Sequence, residues 1–274
     1  MITAVEVEEK RKRGILSLLP FRTNKIRVEH LYCDRAAIKC VTYEKYRREV
    51  NWSVLDRFVK AQRNRVLCRK ELALPEKGYK RFESFELMGR MAENAALFAL
   101  ENAQRKDLSV VLVDHGGGSV GLSRYLLDHS DRVTVITDCT SLYLDEASLL
   151  LEEKGAVLRV TKSFAPIADA DIIISRERIE EPIPAKADAV VFTSQKPLRA
   201  LSCRVIYDYF FDLPEKYESM RPAFLEPMYF ASALYTMAGV YELGAQLFRY
   251  CRDEKSVHTR SSVKEFFSNV PPIS

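Results

Sequence analysis

The stretch Val110-Val111-Leu112-Val113-Asp114-His115-Gly116-Gly117-Gly118-Ser119-Val120-Gly121 constrains this chain more than any other. Ser109–Val113 is a continuous β-branched and aliphatic run, the pattern of a strand buried on both faces of a parallel sheet. Three successive glycines then let the backbone turn sharply and approach a neighbour with no Cβ in the way. A helical pattern follows through Leu122–Leu127, so the unpaired amides and partial positive charge of its first turn face the same bend. Strand, glycine turn and helix together make one unit of an alternating α/β fold.

The alternation continues downstream. Arg132–Thr137 reads as a second strand, and Leu142–Lys154 as a helix stopped by Gly155. Val157–Val160, Asp171–Ile174, Ala189–Phe192 and Arg204–Tyr209 are four further short apolar runs. Strands separated by short helices or loops predict right-handed crossovers and a doubly wound, mostly parallel sheet. Upstream, Ser84–Asn102 repeats its apolar residues every 3.6 positions and predicts a long helix.

The first residues form a smaller α/β pattern of their own. Ile26, Val28 and His30 alternate with polar neighbours, Ala37–Val41 is a second apolar run, and Val66-Leu67-Cys68 offers a third strand. Trp52, Leu55, Phe58 and Val59 share a helical face, with Asn51 or Ser53 available as cap. Turn chemistry at Pro75-Glu76-Lys77-Gly78 closes this unit. A buried apolar helix is predicted from Glu226 to about Arg249, packing either on the N-terminal unit or on a second subunit. The expected organisation is a small N-terminal α/β domain (1–83), a linking helix (84–104), a nucleotide-binding domain (105–215) and a C-terminal helical segment (216–274), with a cleft between the domains.

Charge and cysteine usage exclude several classes. With 42 Lys and Arg against 38 Asp and Glu, the net charge of +4 is too weak a bias for a polyanion partner, so no nucleic acid is expected. The run Lys10-Arg11-Lys12-Arg13 directly follows Glu8 and Glu9 and reads as a solvated helix face. None of the six cysteines makes a C-x-x-C pair or a zinc-ligand spacing with the four histidines, so no metal is expected. Free cysteines suit a reducing cytoplasm. The longest uncharged apolar run, Pro227 to Tyr241, is shorter than the ~20 residues that span a bilayer, so no membrane association is expected.

Gly116, Gly118 and Gly121 form the pattern G-x-G-x-x-G, and Asp138, at the end of the second strand, lies 20 positions after Gly118. With these residues, the segment resembles the NAD(P)-binding Rossmann superfamily. In the economy of Gly121–Asp171 and in Ala170-Asp171-Ile172-Ile173-Ile174-Ser175, its architecture is similar to the cofactor domains of shikimate dehydrogenase and methylenetetrahydrofolate dehydrogenase. The resemblance covers roughly residues 84–200; the first 80 residues match no catalytic motif of those families. It implies that Gly116, Gly117, Gly118, Ser119, Val120 and Gly121 hold the phosphates of NAD. Asp138 would accept a ribose hydroxyl and repel a 2′-phosphate, and Ser175 and Thr193, at two strand ends, would bond ribose or nicotinamide. The third glycine is expected to allow close packing of helix on sheet.

Asp114 and His115 stand between strand and glycines, where dehydrogenases bring apolar residues. Asp-x-Gly-x-Gly resembles the first motif of S-adenosylmethionine-dependent methyltransferases, although no clear final β-hairpin of that sheet is read in the C-terminal third. Candidates for chemistry are His115, which can polarise a substrate or contact a phosphate, and Lys70, beside Glu71, which would suit proton transfer. Asp114 either braces His115 or caps the glycine-loop amides. Three functions stay open: an NAD-dependent oxidoreductase acting on a small polar metabolite, a methyltransferase using S-adenosylmethionine, and a non-catalytic nucleotide-binding or dimerisation module. A homodimer is compatible with each.

Overall fold

The computed structural model describes residues 1–10, 24–46, 49–76, 78–105 and 107–268. The basic run from Arg11 to Arg13 and the turn residue Lys77 lie outside these. The chain divides into two compact units: residues 1–84 with 213–243 (unit 1), and residues 85–212 with 244–274 (unit 2).

Unit 1 opens with β1 (Ile2–Glu9), β2 (Lys25–Cys33), β3 (Ala36–Lys45) and α1 (Trp52–Val59). The strand order is β1-β3-β2, with β1 parallel and β2 antiparallel to β3. Alternation along the pleat explains its two buried faces. Val5, Val41 and Tyr43 point one way and meet Leu55 and Val59 of α1. The Asn51 side chain caps α1 by accepting from the Val54 amide. Strand β1 went unforeseen, and the third strand expected at Val66–Cys68 is reduced to isolated bridges, Ala4 to Leu67 and Val66 to Arg81.

Unit 2 begins with α2 (Glu86–Glu101), then β4 (Ser109–Val113), α3 (Val120–Leu127), β5 (Arg132–Ile136), α4 (Thr140–Lys154), β6 (Arg159–Thr161), β7 (Ile172–Ser175), β8 (Val190–Thr193) and β9 (Arg204–Phe210). Helix α4 ends at Gly155, whose φ of +66° suits a residue without a Cβ. The chain then returns to unit 1 for α5 (Glu215–Glu218) and α6 (Pro227–Ala238), and closes in unit 2 with β10 (Tyr250–Arg252), β11 (Val257–Thr259) and α7 (Arg260–Lys264).

The eight-stranded sheet has the order β11-β10-β9-β8-β7-β4-β5-β6. Its six strands β6-β5-β4-β7-β8-β9 are all parallel, and the winding reverses beside β4, where β7 adds on the side opposite β5. This is a Rossmann-type α/β sheet. Helix α2 packs on β7, β8 and β9. The alternate side chains, Val111, Val113, Ile173 and Val191, pack with Ile167 and Ala170 and with Ile179, Ile183 and Leu201 from irregular segments. The links β7–β8 and β8–β9 contain no helix, so this half of the winding is done by loops.

Two tail expectations need correction. The predicted helix from Glu226 to about Arg249 stops at Ala238, because Gly239 turns left-handed at φ +68°. A 3-10 turn (Tyr241–Ala245) follows. Beyond it the tail holds the antiparallel hairpin β10–β11, which adds outside β9, contrary to the expected absence of a final hairpin. Helix α6 packs on β1 and β3, and Phe230, Ala231, Ala233 and Leu234 are fully buried.

Candidate functional site

Strand pairing carries on one residue past β4, since the Asp114 amide donates to the Ile136 carbonyl at 2.9 Å. The following bend is a left-handed residue, Gly117 at φ +70°, and a Cβ there would press on Cys139 and Leu142. The bend exposes Gly116 and Gly118 and delivers the chain to the head of α3.

Asp114 and His115 diverge. The Asp114 side chain is 3% exposed and turns inward, taking the Gly118 amide at 3.2 Å, the Ser119 amide at 2.8 Å and the Tyr143 hydroxyl at 2.6 Å. It therefore caps the glycine-loop amides, one of the two roles read for it. Burial first, and then the Asp114 carboxylate, pushes the Tyr143 phenol well above its ordinary range, so it stays a donor. His115 turns outward: its Nδ1 lies 3.0 Å from Oδ2 of Asp138, with the side chains 38% and 67% exposed. His115 is thus braced by Asp138, not by Asp114.

Loop and helix α2 are joined underneath. Ser119 Oγ donates to Glu93, a fully buried carboxylate that also pairs with Arg90 Nη1 at 2.8 Å and faces Arg176 Nη1 at 4.0 Å. The sequence hinted at this only through Gly89, a glycine in the middle of a strong helix pattern. The amides of Gly116, Gly117, Val120 and Gly121 have no partner among the described residues.

Gly121 is not needed for close packing, because a Cβ built there meets nothing within 4 Å. Ser175 and Thr193 sit at the carboxyl ends of β7 and β8 as expected, but both hydroxyls donate to the Glu177 carbonyl, at 2.9 and 3.0 Å. Sequence reasoning passed over Ser194, one residue beyond β8, whose buried hydroxyl finds no partner among the described residues. The Cys139 thiol contacts the His115 carbonyl at 3.3 Å and so braces the loop. Lys70 stands exposed on a turn of unit 1.

No family model matches the chain, and no curated protein matches its sequence. Among solved structures it is similar to the Thermococcus litoralis Δ1-pyrroline-2-carboxylate reductase in complex with NADH and L-proline, at 14% identity and a TM-score of 0.29. That match covers 43% of this chain and spans 39% of the reductase. Quinate dehydrogenase from Corynebacterium glutamicum in complex with NAD matches at 14% identity over 97% of this chain and 98% of that one, with a TM-score of 0.33. L-tryptophan dehydrogenase from Nostoc punctiforme matches at 10% identity over 97% and 79%, with a TM-score of 0.32.

Proposed function

We propose that unit 2 binds NAD and that the chain is an oxidoreductase acting on a small polar metabolite. The observation that carries this reading is the glycine loop's position where the winding of a six-stranded parallel sheet reverses, the place where open α/β sheets bind dinucleotides. Four loop amides without acceptors fit a diphosphate, and Asp138, exposed at the end of the neighbouring strand, fits a ribose diol. Its charge opposes a 2′-phosphate and favours NAD over NADP.

NAD supplies the hydride acceptor. The chain's residues bind and orient it: Gly116, Gly117, Val120 and Gly121 through their amides, Asp138 through its carboxylate. His115, held by Asp138, is the exposed group able to contact a phosphate or carry a proton near this edge. Lys70, proposed for proton transfer, belongs to unit 1. The cysteines described are free, which supports a reducing, cytoplasmic setting. No helix among the described residues is long and apolar enough to cross a membrane.

The hairpin β10–β11 removes one argument against S-adenosylmethionine, and Asp114 beneath the loop keeps that reading in view. The order of the parallel strands puts NAD first. A thermal-shift panel with NAD, NADP, S-adenosylmethionine and ATP separates the possibilities. NAD at about 100 times its dissociation constant is expected to stabilise the fold by about 2.7 kcal/mol, and Asp138→Ala to abolish the effect. A shift with S-adenosylmethionine alone replaces the reading with the methyltransferase one. A chain that answers none of the four favours the non-catalytic nucleotide-binding or dimerisation module.

A further inference from the structure

Arg176 directly follows β7, beside the glycine loop. A Cβ on Gly89 of α2 would stand 2.6 Å from its Cγ and 2.7 Å from its carbonyl oxygen, and a Cβ on Gly118 would stand 2.8 Å from its Nη1. Two glycines on separate elements thus leave a slot that one arginine fills: alanine at 89 would collide with its backbone carbonyl, and alanine at 118 would push its guanidinium aside. Within the slot Nη1 donates to the Gly118 carbonyl at 2.8 Å and faces Glu93 at 4.0 Å. Nε and Nη2 have no partner among the described residues, and the side chain is 25% exposed.

The charges around the loop say what such an arginine is for. Asp114 already occupies two amides at the head of α3, Glu93 lies beneath Ser119, and a Glu177 oxygen lies 3.9 Å from where a Cβ on Gly116 would stand. A diphosphate arriving at the loop meets these carboxylates, and two of the loop's amides are already taken by Asp114. Among the described residues, Arg176 is the cation bonded to the loop itself.

We infer that Arg176 is a diphosphate-binding residue of this site, engaging the ligand through Nε and Nη2 while Nη1 stays on Gly118. The inference rests on the dinucleotide reading and adds a contact that the glycine motif alone lacks. An arginine fork matches phosphate oxygens two at a time, which a lysine does not reproduce.

The test is a titration with NADH, followed by its fluorescence, on the wild type, Arg176→Gln and Arg176→Lys, with melting points to establish that each is folded. Losing a charge-assisted pair should weaken NADH by roughly 10–100-fold in Arg176→Gln, with Arg176→Lys falling between. Binding to the glutamine variant should also be less sensitive to salt. Unchanged NADH affinity in folded Arg176→Gln overturns the inference. If that variant does not fold, Arg176→Lys decides, and wild-type affinity in it overturns the inference. A wild type that ignores NADH sinks the dinucleotide reading instead. Inorganic pyrophosphate that then stabilises the wild type but not the Arg176 variants still upholds the anion site, and silence towards both ligands overturns it.

Discussion

Replacing Asp114 with alanine tests whether its carboxylate holds the glycine loop in shape. The carboxylate accepts three hydrogen bonds, two from amides at the head of α3 and one from Tyr143, which is fully buried. Removing the acceptor shared by the Gly118 and Ser119 amides costs about 1 kcal/mol. Leaving the Tyr143 hydroxyl buried without an acceptor costs about 1–3 kcal/mol more. Asp114→Ala should therefore lower stability by about 2–4 kcal/mol, read from urea denaturation followed by circular dichroism. Much of that cost belongs to the orphaned hydroxyl, so adding Tyr143→Phe should recover about 1–2 kcal/mol, a coupling that the double-mutant cycle isolates. An Asp114→Ala protein as stable as the wild type, or a cycle with no coupling, refutes the account of the loop as a carboxylate-capped turn.

Alkaline pH should act through the buried phenols. Burial raises Tyr143, Tyr79 and Tyr209, and raises Tyr229 to about 12, whereas unfolded tyrosines ionise near pH 10. Stability from these groups is fully present below about pH 10 and is lost as pH rises through the folded values; base titration of Tyr143→Phe should show a shallower decline. Among the glycines the signs should differ. Gly121→Ala should gain about 0.5–1 kcal/mol in a site with free space, while Gly89→Ala should be destabilising against Arg176, both read as melting points; equal shifts would contradict the slot. In α6, Leu234→Ala should cost about 2–4 kcal/mol and Leu234→Asp should prevent unit 1 from folding. A soluble, unaltered aspartate variant would contradict the burial of Leu234.

The parallel sheet was legible because its strands are buried on both faces and write themselves as aliphatic runs. Ser109–Val113 was read to the residue. Strand β1 escaped because its second half, Glu6 to Glu9, is acidic, and only Ile2 to Val5 are fully packed. The tail was misread because the apolar pattern of α6 continues past Gly239, and a glycine's left-handed turn is weighed only against tertiary context. At the site, the turn and Asp138 were visible as spacing. The partition of Asp114 inward and His115 outward was not, since nothing local says which of two neighbours reaches Tyr143 and which reaches Asp138. Glu93 and Arg176 reach the loop from 26 and 58 residues away, and of that only Gly89 left a trace.

The two ends of the large sheet have a consequence for how unit 2 meets other molecules. Both flanking strands, Arg159–Thr161 and Val257–Thr259, are three residues long. The seven-residue strand Arg204–Phe210, which would otherwise present a long open row of backbone donors and acceptors, is covered by the hairpin over its second half, Tyr207 to Phe210. Short margins of this kind give a foreign strand almost nothing to zip onto, so a sheet rich in aliphatic residues stays protected from accretion along its rims.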